Sequence, residues 1–386
     1  MRVYNKNMPI ASMPPAELVT TIERYQKMIA HLKGQTAIAI DTESNSLFAY
    51  QERVCLIQLS SKTQDFLLDP FAFDDLSALG ELIADETIEK LLHAGDYDIS
   101  TLKRDYGFIF NNVFDTMLAA SALGETNLGL GTLLEKYFGI VLTKKFQRAN
   151  WGERPLKQEM LAYAQADSHF LIKLRDYLVP RLEAIGWLDL LREDANAMAK
   201  NMPPMRAHGE DVWRVKGSRD LNASEMSLLE ALNHTREMLA EKRNRPPFKI
   251  FGDTAMVTIA LAMPQSLTQL SQLKVLSPHQ VKRFGSVIVN TVLRWQENPG
   301  KLYRPANHRI AEDQFDRFEG LMDLRKNIGH QEGVPSNLIL SREMVEKMAK
   351  VDPDNLESLK EVMSDYPLRF ERYGKQILDL LERIRR

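Results

Sequence analysis

Four acidic residues in three separate stretches are the first sign of chemistry in this chain: Asp41 and Glu43 in AIAIDTE, Asp98 in HAGDYDI, and Asp167 in YAQAD, with Tyr163 four residues before it. Carboxylates gathered round one point repel one another and any anionic substrate, so such a cluster makes sense chiefly round divalent cations. On a strand, residues two apart project from the same face, so Asp41 and Glu43 can reach one site together. On a helix, residues four apart lie one above the other, which sets the Tyr163 phenol beside the Asp167 carboxylate. Gly95 breaks a strand just before Asp98, and a helix starting there can aim a side chain over the end of a sheet. Singly, each has a plainer use: a solvated turn pair, a surface pair on a helix, or caps at a helix start for Asp96 and Asp98. Only their joint occurrence in this order speaks for a reaction.

The elements that must position these residues follow from the apolar pattern. Thr36 to Asp41, Val54 to Ser60 and Asp65 to Leu68 read as three successive strands joined by short polar loops, an antiparallel meander. Leu76 to Ala84 reads as an amphipathic helix and Ile88 to His93 as another strand. Asp98 to Asp105 and Asp115 to Leu123 follow as helices, and Leu156 to Leu178 carries apolar residues at three- and four-residue spacing as one long final element. This succession fits a ribonuclease-H-like α/β domain, a mixed sheet flanked by helices.

Composition bounds the rest. At 386 residues and 44% apolar content, the chain can bury a sizeable core and divide into two or three domains. No apolar run approaches membrane-spanning length and the N-terminus has no signal-peptide core, so a soluble, cytoplasmic protein is expected, with no membrane partner. The single cysteine, Cys55, cannot form an internal disulfide or build a zinc site, and its apolar setting makes it a buried, inert thiol. The net charge of -2 is unevenly spread: residues 213–300 carry 12 Lys/Arg against 7 Asp/Glu, whereas residues 1–212 carry 22 against 29. A basic segment joined to an acidic one suits a nucleic-acid-binding module tethered to a metal-dependent catalytic one, although small helical domains often carry a charge of this size for solubility alone.

Beyond residue 195 the chain repeats itself. KNMPPMRAHG, at Lys200 to Gly209, reads as a linker, and ENPGKLYRP, at Glu297 to Pro305, marks a second break. Sliding the sequence by 89 residues aligns Leu232 with Leu321, Arg236 with Arg325, Pro246 with Pro335, Ile250 with Ile339, Gly285 with Gly374 and Ile288 with Ile377. The expected organisation is a domain at 1–195, a linker at 196–212, and two all-α bundles at 213–297 and 298–386. Both bundles resemble the helicase-and-RNase-D C-terminal (HRDC) domain, specifically in AEKRNRPPFKI and more loosely in GHQEGVPSNLI.

The order Asp-x-Glu, a later Asp, then Tyr-x-x-x-Asp resembles the tyrosine-bearing subgroup of the DEDD 3′–5′ exonucleases, and within it the ribonuclease D family. IDTESNS, VCLIQLS, LLHAGDYDISTL, FDTMLAASALG, FQRANWGERPL and YAQADSHFL carry the likeness. Many relatives have an Asn shortly before the aspartate of the second motif, whereas this chain reads HAGDYD; Asp96 and Asp98 are the alternatives, and the His-Ala-Gly-x-x-Asp spacing favours Asp98. The resemblance implies that Asp41, Glu43, Asp98 and Asp167 hold two divalent cations, Mg²⁺ or Mn²⁺, and that Tyr163 is catalytic. It implies Lys144, with Lys145 next to it, as a phosphate contact, and offers Trp151 as a base-stacking residue or an anchor for its loop. The implied substrate is RNA with a free 3′ end, tRNA precursors among them, and the product a nucleoside 5′-monophosphate. A 3′–5′ DNA exonuclease and a non-catalytic RNA-binding scaffold are the rival readings. His93 reads as a hydrogen-bonded core residue.

Overall fold

The computed structural model describes residues 13–205, 211–303 and 311–386. In chain order the first part contains β1 (Glu17–Val19), α1 (Ile22–Lys33), β2 (Ala37–Ser44), β3 (Val54–Ser60), β4 (Asp65–Leu68), α2 (Ser77–Ala84), β5 (Glu89–Leu92), α3 (Asp96–Tyr106) and β6 (Val113–Asp115). It continues through α4 (Thr116–Ala122), α5 (Leu130–Phe138), α6 (Gln158–His169), α7 (Leu171–Ala184) and α8 (Leu188–Asn201). The strands form one mixed sheet in the order β1, β4, β3, β2, β5, β6. β1 is parallel to β4, β4 antiparallel to β3, and β2 and β6 both parallel to β5.

β2 is central because it is apolar on both faces. Ala37 and Ala39 pack with Leu91, Phe114 and residues of α4, α5, α7 and α8, while Ile38 and Ile40 pack with α1, α2 and α3. A strand buried on both sides is what a layered α/β domain needs at its middle. The sequence then turns polar, and by strand alternation Asp41 and Glu43 continue the face of Ala37 and Ala39.

The apolar stretch expected as one long final element is two helices. α6 turns Met160, Leu161, Tyr163 and Ala164 toward Cys55, Leu56 and Leu67, whereas α7 sends Leu171, Leu174 and Leu178 into the cluster around Leu91 and Phe114. The chain changes direction at Phe170, where side chains at the end of α6 bind the sheet edge. Gln165 donates to Asp65 at 2.6 Å, His169 lies 2.7 Å from the same carboxylate, and the Ser168 and Ser60 hydroxyls are 2.8 Å apart. β1, α1 and β6 were not expected from the pattern.

Two helical bundles follow. The first comprises α9 (Ala223–Glu241), α10 (Asp253–Ala262), α11 (Leu267–Gln272) and α12 (Pro278–Glu297). The second comprises α13 (Glu312–Glu332), α14 (Ser336–Ile339), α15 (Arg342–Val351), α16 (Leu356–Val362) and α17 (Pro367–Arg385). α13, α15, α16 and α17 begin 89 residues after α9, α10, α11 and α12 respectively, so the repeat seen in sequence is a repeat of helices. Of the expected linker, residues 196–201 are the last turns of α8, with Ala197 and Ala199 buried, and 206–210 lie outside the described residues.

The described residues fall into two compact units, 13–43 with 54–205 and 311–386, and 44–53 with 211–303. In the first unit the second bundle shares its core with the sheet domain: Leu321, Ile339, Met348 and Ile377 belong to the same apolar cluster as Ala37 and Phe114. The fully buried Arg369 secures that join. It donates to the Leu190 carbonyl at 3.0 Å and Glu193 at 2.8 Å on α8, to Asp194 at 2.5 Å, and to the Leu338 carbonyl of its own bundle at 2.7 Å. In the second unit, Leu228, Leu229, Leu232, Ile259 and Ile288 form a separate core, and the connection between β2 and β3 folds onto it with Tyr50 donating its N–H to Asn244 at 3.1 Å. No helix among the described residues is long and apolar enough to cross a membrane.

Candidate active site

Three elements bring the acidic residues together, and the turn between β5 and α3 shows how. Ala94 adopts φ 56, a left-handed conformation that costs a non-glycine residue about 1 kcal/mol or more. At Gly95 a Cβ would stand 2.6 Å from the Leu92 side chain, so only glycine lets the chain turn this closely. Asp115 caps α4 by accepting the Met117 and Leu118 N–H groups at 2.8 and 3.1 Å, and its other oxygen accepts the Gly95 N–H at 2.8 Å. The fixed turn carries Asp98 inward, where it is 7% exposed and accepts the Thr42 hydroxyl at 2.5 Å. Asp96 is exposed, so of the two alternatives it is Asp98 that meets β2. His93 is hydrogen-bonded to the Thr116 hydroxyl at 2.9 Å, and burial lowers its pKa.

The electrostatics link all four acids. Burial raises the Asp41 carboxyl well above the usual carboxylate range, and repulsion from Asp98, Asp167 and Glu43 adds to it. Burial, then Asp167 and Asp98, push Glu43 up to about 9. Asp98 and Asp167 rise to about 7, again chiefly through burial, with hydrogen bonds from Thr42 and Tyr163 respectively pulling them back. Tyr163 bonds to Asp167, and burial with the carboxylates beside it drives its phenol above its ordinary value. The charges acting on Asp41 are all negative, which is costly in a folded chain unless protons or cations offset them.

Asp41, Glu43 and Asp167 remain partly open to water, with Asp98 behind them. As they stand, no three His, Cys, Asp or Glu side chains among the described residues surround a common point; Asp98 is engaged by Thr42 and Asp167 by Tyr163. The donors are oxygens with uncompensated charge, a set that fits hard divalent cations.

Beside Tyr163 and Asp167 lies a cleft of about 350 Å³, walled by Val141, Leu142, Phe146, Ala162 and Ala166. Lys145 lines it, with its ammonium 2.6 Å from Glu159 and 4.9 Å from the Phe146 ring centre. Lys144 is exposed on the same loop and is not part of the lining. Trp151 is no base platform: its ring is 1% exposed and packs 6.1 Å from that of Tyr163, leaving no free face for a base. It anchors its loop with the help of Arg154, which donates to Asp69 at 2.6 and 2.7 Å and to the Trp151 and Cys55 carbonyls at 2.8 and 2.7 Å. Phe146, 6.0 Å from Tyr163, completes the aromatic setting of the phenol. Thr42 and Phe146 were missed in the sequence. Thr42 sits between the two acids of β2 and Phe146 begins FQRANWGERPL, so proximity to the motifs was the available signal.

Residues 16–183 match the family described as 3′–5′ exonuclease, and residues 225–292 and 314–381 each match the HRDC domain. Exonucleases of this kind depend on divalent metal ions in general. Ribonuclease D of Escherichia coli (strain K12) is 26% identical over 374 residues, which span 95% of this chain and 98% of that protein. Protein RRP6-like 1 of Arabidopsis thaliana is 28% identical over 81% of this chain, which spans about half, 51%, of the plant protein. The crystal structure of the Escherichia coli RNase D, described as an exoribonuclease involved in structured RNA processing, superposes with a TM-score of 0.70 over 96% of this chain and 99% of that one at 24% identity, and so shares its fold. With the exonuclease match and both HRDC matches in one order along an end-to-end correspondence, the chain is a homologue of ribonuclease D that carries a 3′–5′ exonuclease domain, a hydrolytic exoribonuclease.

Proposed function

We propose that this enzyme trims the 3′ ends of structured RNA in the cytoplasm, tRNA precursors among its substrates, releasing one nucleoside 5′-monophosphate at a time. Asp41, Glu43, Asp98 and Asp167 would hold two divalent cations, Mg²⁺ or Mn²⁺. The observation that carries this reading is the convergence, from β2, α3 and α6, of four mutually repelling carboxylates beside a phenol and a nucleotide-sized cleft. When bound, such ions supply an activated water and stabilise the leaving 3′ oxygen. To bind them, Asp98 and Asp167 have to share the oxygens now engaged by Thr42 and Tyr163.

The chain's own groups do the rest. Tyr163, set between Phe146 and Trp151, offers its hydroxyl beside Asp167 to orient the attacking water. The apolar walls of the cleft receive the terminal base, and Lys145, which reaches the cleft from the position next to Lys144, supports the scissile phosphate once it leaves Glu159. The basic first bundle holds the RNA upstream.

Digestion of matched RNA and DNA strands, each with and without Mg²⁺ or Mn²⁺, tests the proposal. Cation-dependent release of mononucleotides from RNA, with DNA cut much more slowly, is expected. Equal cleavage of both strands would make the enzyme a general 3′–5′ nuclease, and RNA binding without cleavage in either cation would leave only a scaffold.

A further inference from the structure

We infer that a groove in the first bundle binds an aliphatic polyamine, with the Glu230, Glu237 and Glu241 carboxylates taking its ammonium groups and the Trp213 and Tyr50 rings flanking its methylene chain. The groove, about 520 Å³ in volume, lies within the second compact unit. One face of α9 forms its floor, and Trp213, Leu302 after α12 and Tyr50 of the β2–β3 connection form its walls. The catalytic carboxylates all belong to the other unit.

Three features make the groove a place for a cation. First, its charge is of one sign: Glu230 and Glu241 are exposed in it, and among its lining residues there is no Lys or Arg. Second, Glu237 and Glu241 are like charges one helical turn apart. Glu241 is also the last residue of α9, at the negative pole of the helix dipole, and the last turn has no basic residue to offset it. Third, the Glu237 carboxylate accepts the Tyr50 phenol, yet its Oε2, shielded from water, has no hydrogen-bond partner among the described residues. The phenol registers the local potential, since burial and then the Glu237 and Glu241 charges raise it above its ordinary value. Like charges, helix dipole and unmatched oxygen all oppose this arrangement, and a cation in the groove offsets all three.

The repeat shows that the bundle does not need these carboxylates to fold. At the 89-residue offset, Glu230, Glu237 and Glu241 correspond to Glu319, Lys326 and His330, so two of the three are absent from the second copy. The backbone is nonetheless the same. Asn244 and Gly333, in the turns after α9 and α13, both adopt positive φ, 45 and 70. The Ile250 and Ile339 carbonyls are held from the equivalent positions Gln280 and Arg369 at 2.9 and 3.1 Å. Trp213 and Tyr50 lie outside the residues that match the HRDC domain, as additions to the common bundle.

Spacing selects the ligand. Along the helix axis Glu230 and Glu237 are about 10 Å apart, and Glu237 and Glu241 about 6 Å. A metal ion holds its oxygens within about 2.6 Å and cannot be shared along such a row. A linear chain of ammonium groups, separated by three or four methylenes, can. Its methylenes find apolar wall in Met238 and Leu302, and its ammonium groups find aromatic faces as well as carboxylates.

Calorimetric titration of spermine, spermidine and 1,4-diaminobutane into the full-length protein, in EDTA and 100 mM KCl, tests the site. One polyamine per chain is expected, with affinity falling in that order. Glu230→Gln, Glu237→Gln and Glu241→Gln combined should weaken spermine at least about tenfold, and Trp213→Ala about threefold. Two controls should stay within about twofold: Glu319→Gln, Glu357→Gln and Glu361→Gln combined, three exposed carboxylates of the second bundle, and Asp167→Asn at the catalytic centre. Without ligand, the groove triple variant should melt no lower than the unsubstituted protein, because it sheds like-charge repulsion. A lower melting temperature would make the carboxylates structural and overturn the site. Equal weakening by the second-bundle triple would reduce binding to bulk charge, and loss in Asp167→Asn would move it to the catalytic centre. Mg²⁺ matching the affinity of spermine, or a hexa-arginine peptide exceeding it, would equally overturn the polyamine assignment, in favour of a metal or a protein partner.

Discussion

The two HRDC bundles begin their helices 89 residues apart and share the same left-handed turn, yet one has been absorbed into the catalytic body and the other has not. The difference comes down to a few positions. Where the first bundle uses Gln280 to hold the Ile250 carbonyl, the second uses Arg369, long enough to hold the equivalent carbonyl and still reach Glu193 and Asp194 on α8. The second bundle also merges its apolar core with that of the sheet, while the first keeps its own. A duplicated fold has thus diverged at a few side chains: in the second copy Arg369 ties the bundle to α8, whereas its counterpart Gln280 in the first copy holds only its own bundle.

The largest test of that contrast is removal of the second bundle. Ending the chain at residue 310 exposes the shared apolar cluster and strips Glu193 and Asp194 of their guanidinium partner, so no cooperatively folded exonuclease domain should remain by circular dichroism and thermal melting. A well-folded truncated protein would show that the second bundle is an appendage after all. Next in size is Arg369→Ala. Breaking a buried ion pair from one side costs about 3–5 kcal/mol, to be read from urea unfolding, and a loss below about 1 kcal/mol would mean the join is held by apolar packing alone.

Cations should separate the two units further. Asp98 and Asp167 at about 7 and Glu43 at about 9 are raised above their unfolded values, so the metal-free fold binds more protons than the unfolded chain. The stability that these three carboxyls contribute is fully present below about pH 4, the ordinary carboxylate range, and is lost as pH climbs through 7 and 9. Mg²⁺ at a hundredfold excess over its Kd should restore about 2.7 kcal/mol, more at pH 8 than at pH 6. Melting followed through Trp151 and Trp187, in the catalytic body, should shift, whereas the signal of Trp213 and Trp295, in the first bundle, should not; paired single-tryptophan variants read them separately. Equal shifts in both would erase the distinction. The smallest effect belongs to Gln280→Ala, the counterpart of Arg369, which removes two neutral hydrogen bonds, to the Ile250 carbonyl and from the Ser277 N–H, and should cost about 2 kcal/mol.

Much of this was legible in the sequence because its signals are local. Alternation in AIAIDTE set Asp41 and Glu43 on one face, the preference for Asp98 over Asp96 came from the likeness to ribonuclease D and not from the glycine in HAGDYD, and the gapless 89-residue offset foretold the paired bundles. Other features had no local mark. β1 and β6 are three residues each, too short for alternation to register. The break between α6 and α7 falls at Phe170 with no glycine or proline to announce it, while Pro180 sits inside α7 without ending it. The Thr42 to Asp98 bond spans 56 residues and the Arg369 to Glu193 pair 176, so both depend on the assembled fold. Trp151 could be a stacking surface or an anchor until its burial was seen.

The central claim is that Asp41, Glu43, Asp98 and Asp167 form the cation-dependent catalytic centre, and it is tested most directly by mononucleotide release from a 3′-labelled RNA in Mg²⁺ by Asp41→Asn and Asp167→Asn variants whose RNA affinity and melting have been verified. The account predicts that release is abolished in both while RNA binding persists; full activity in either variant would contradict it.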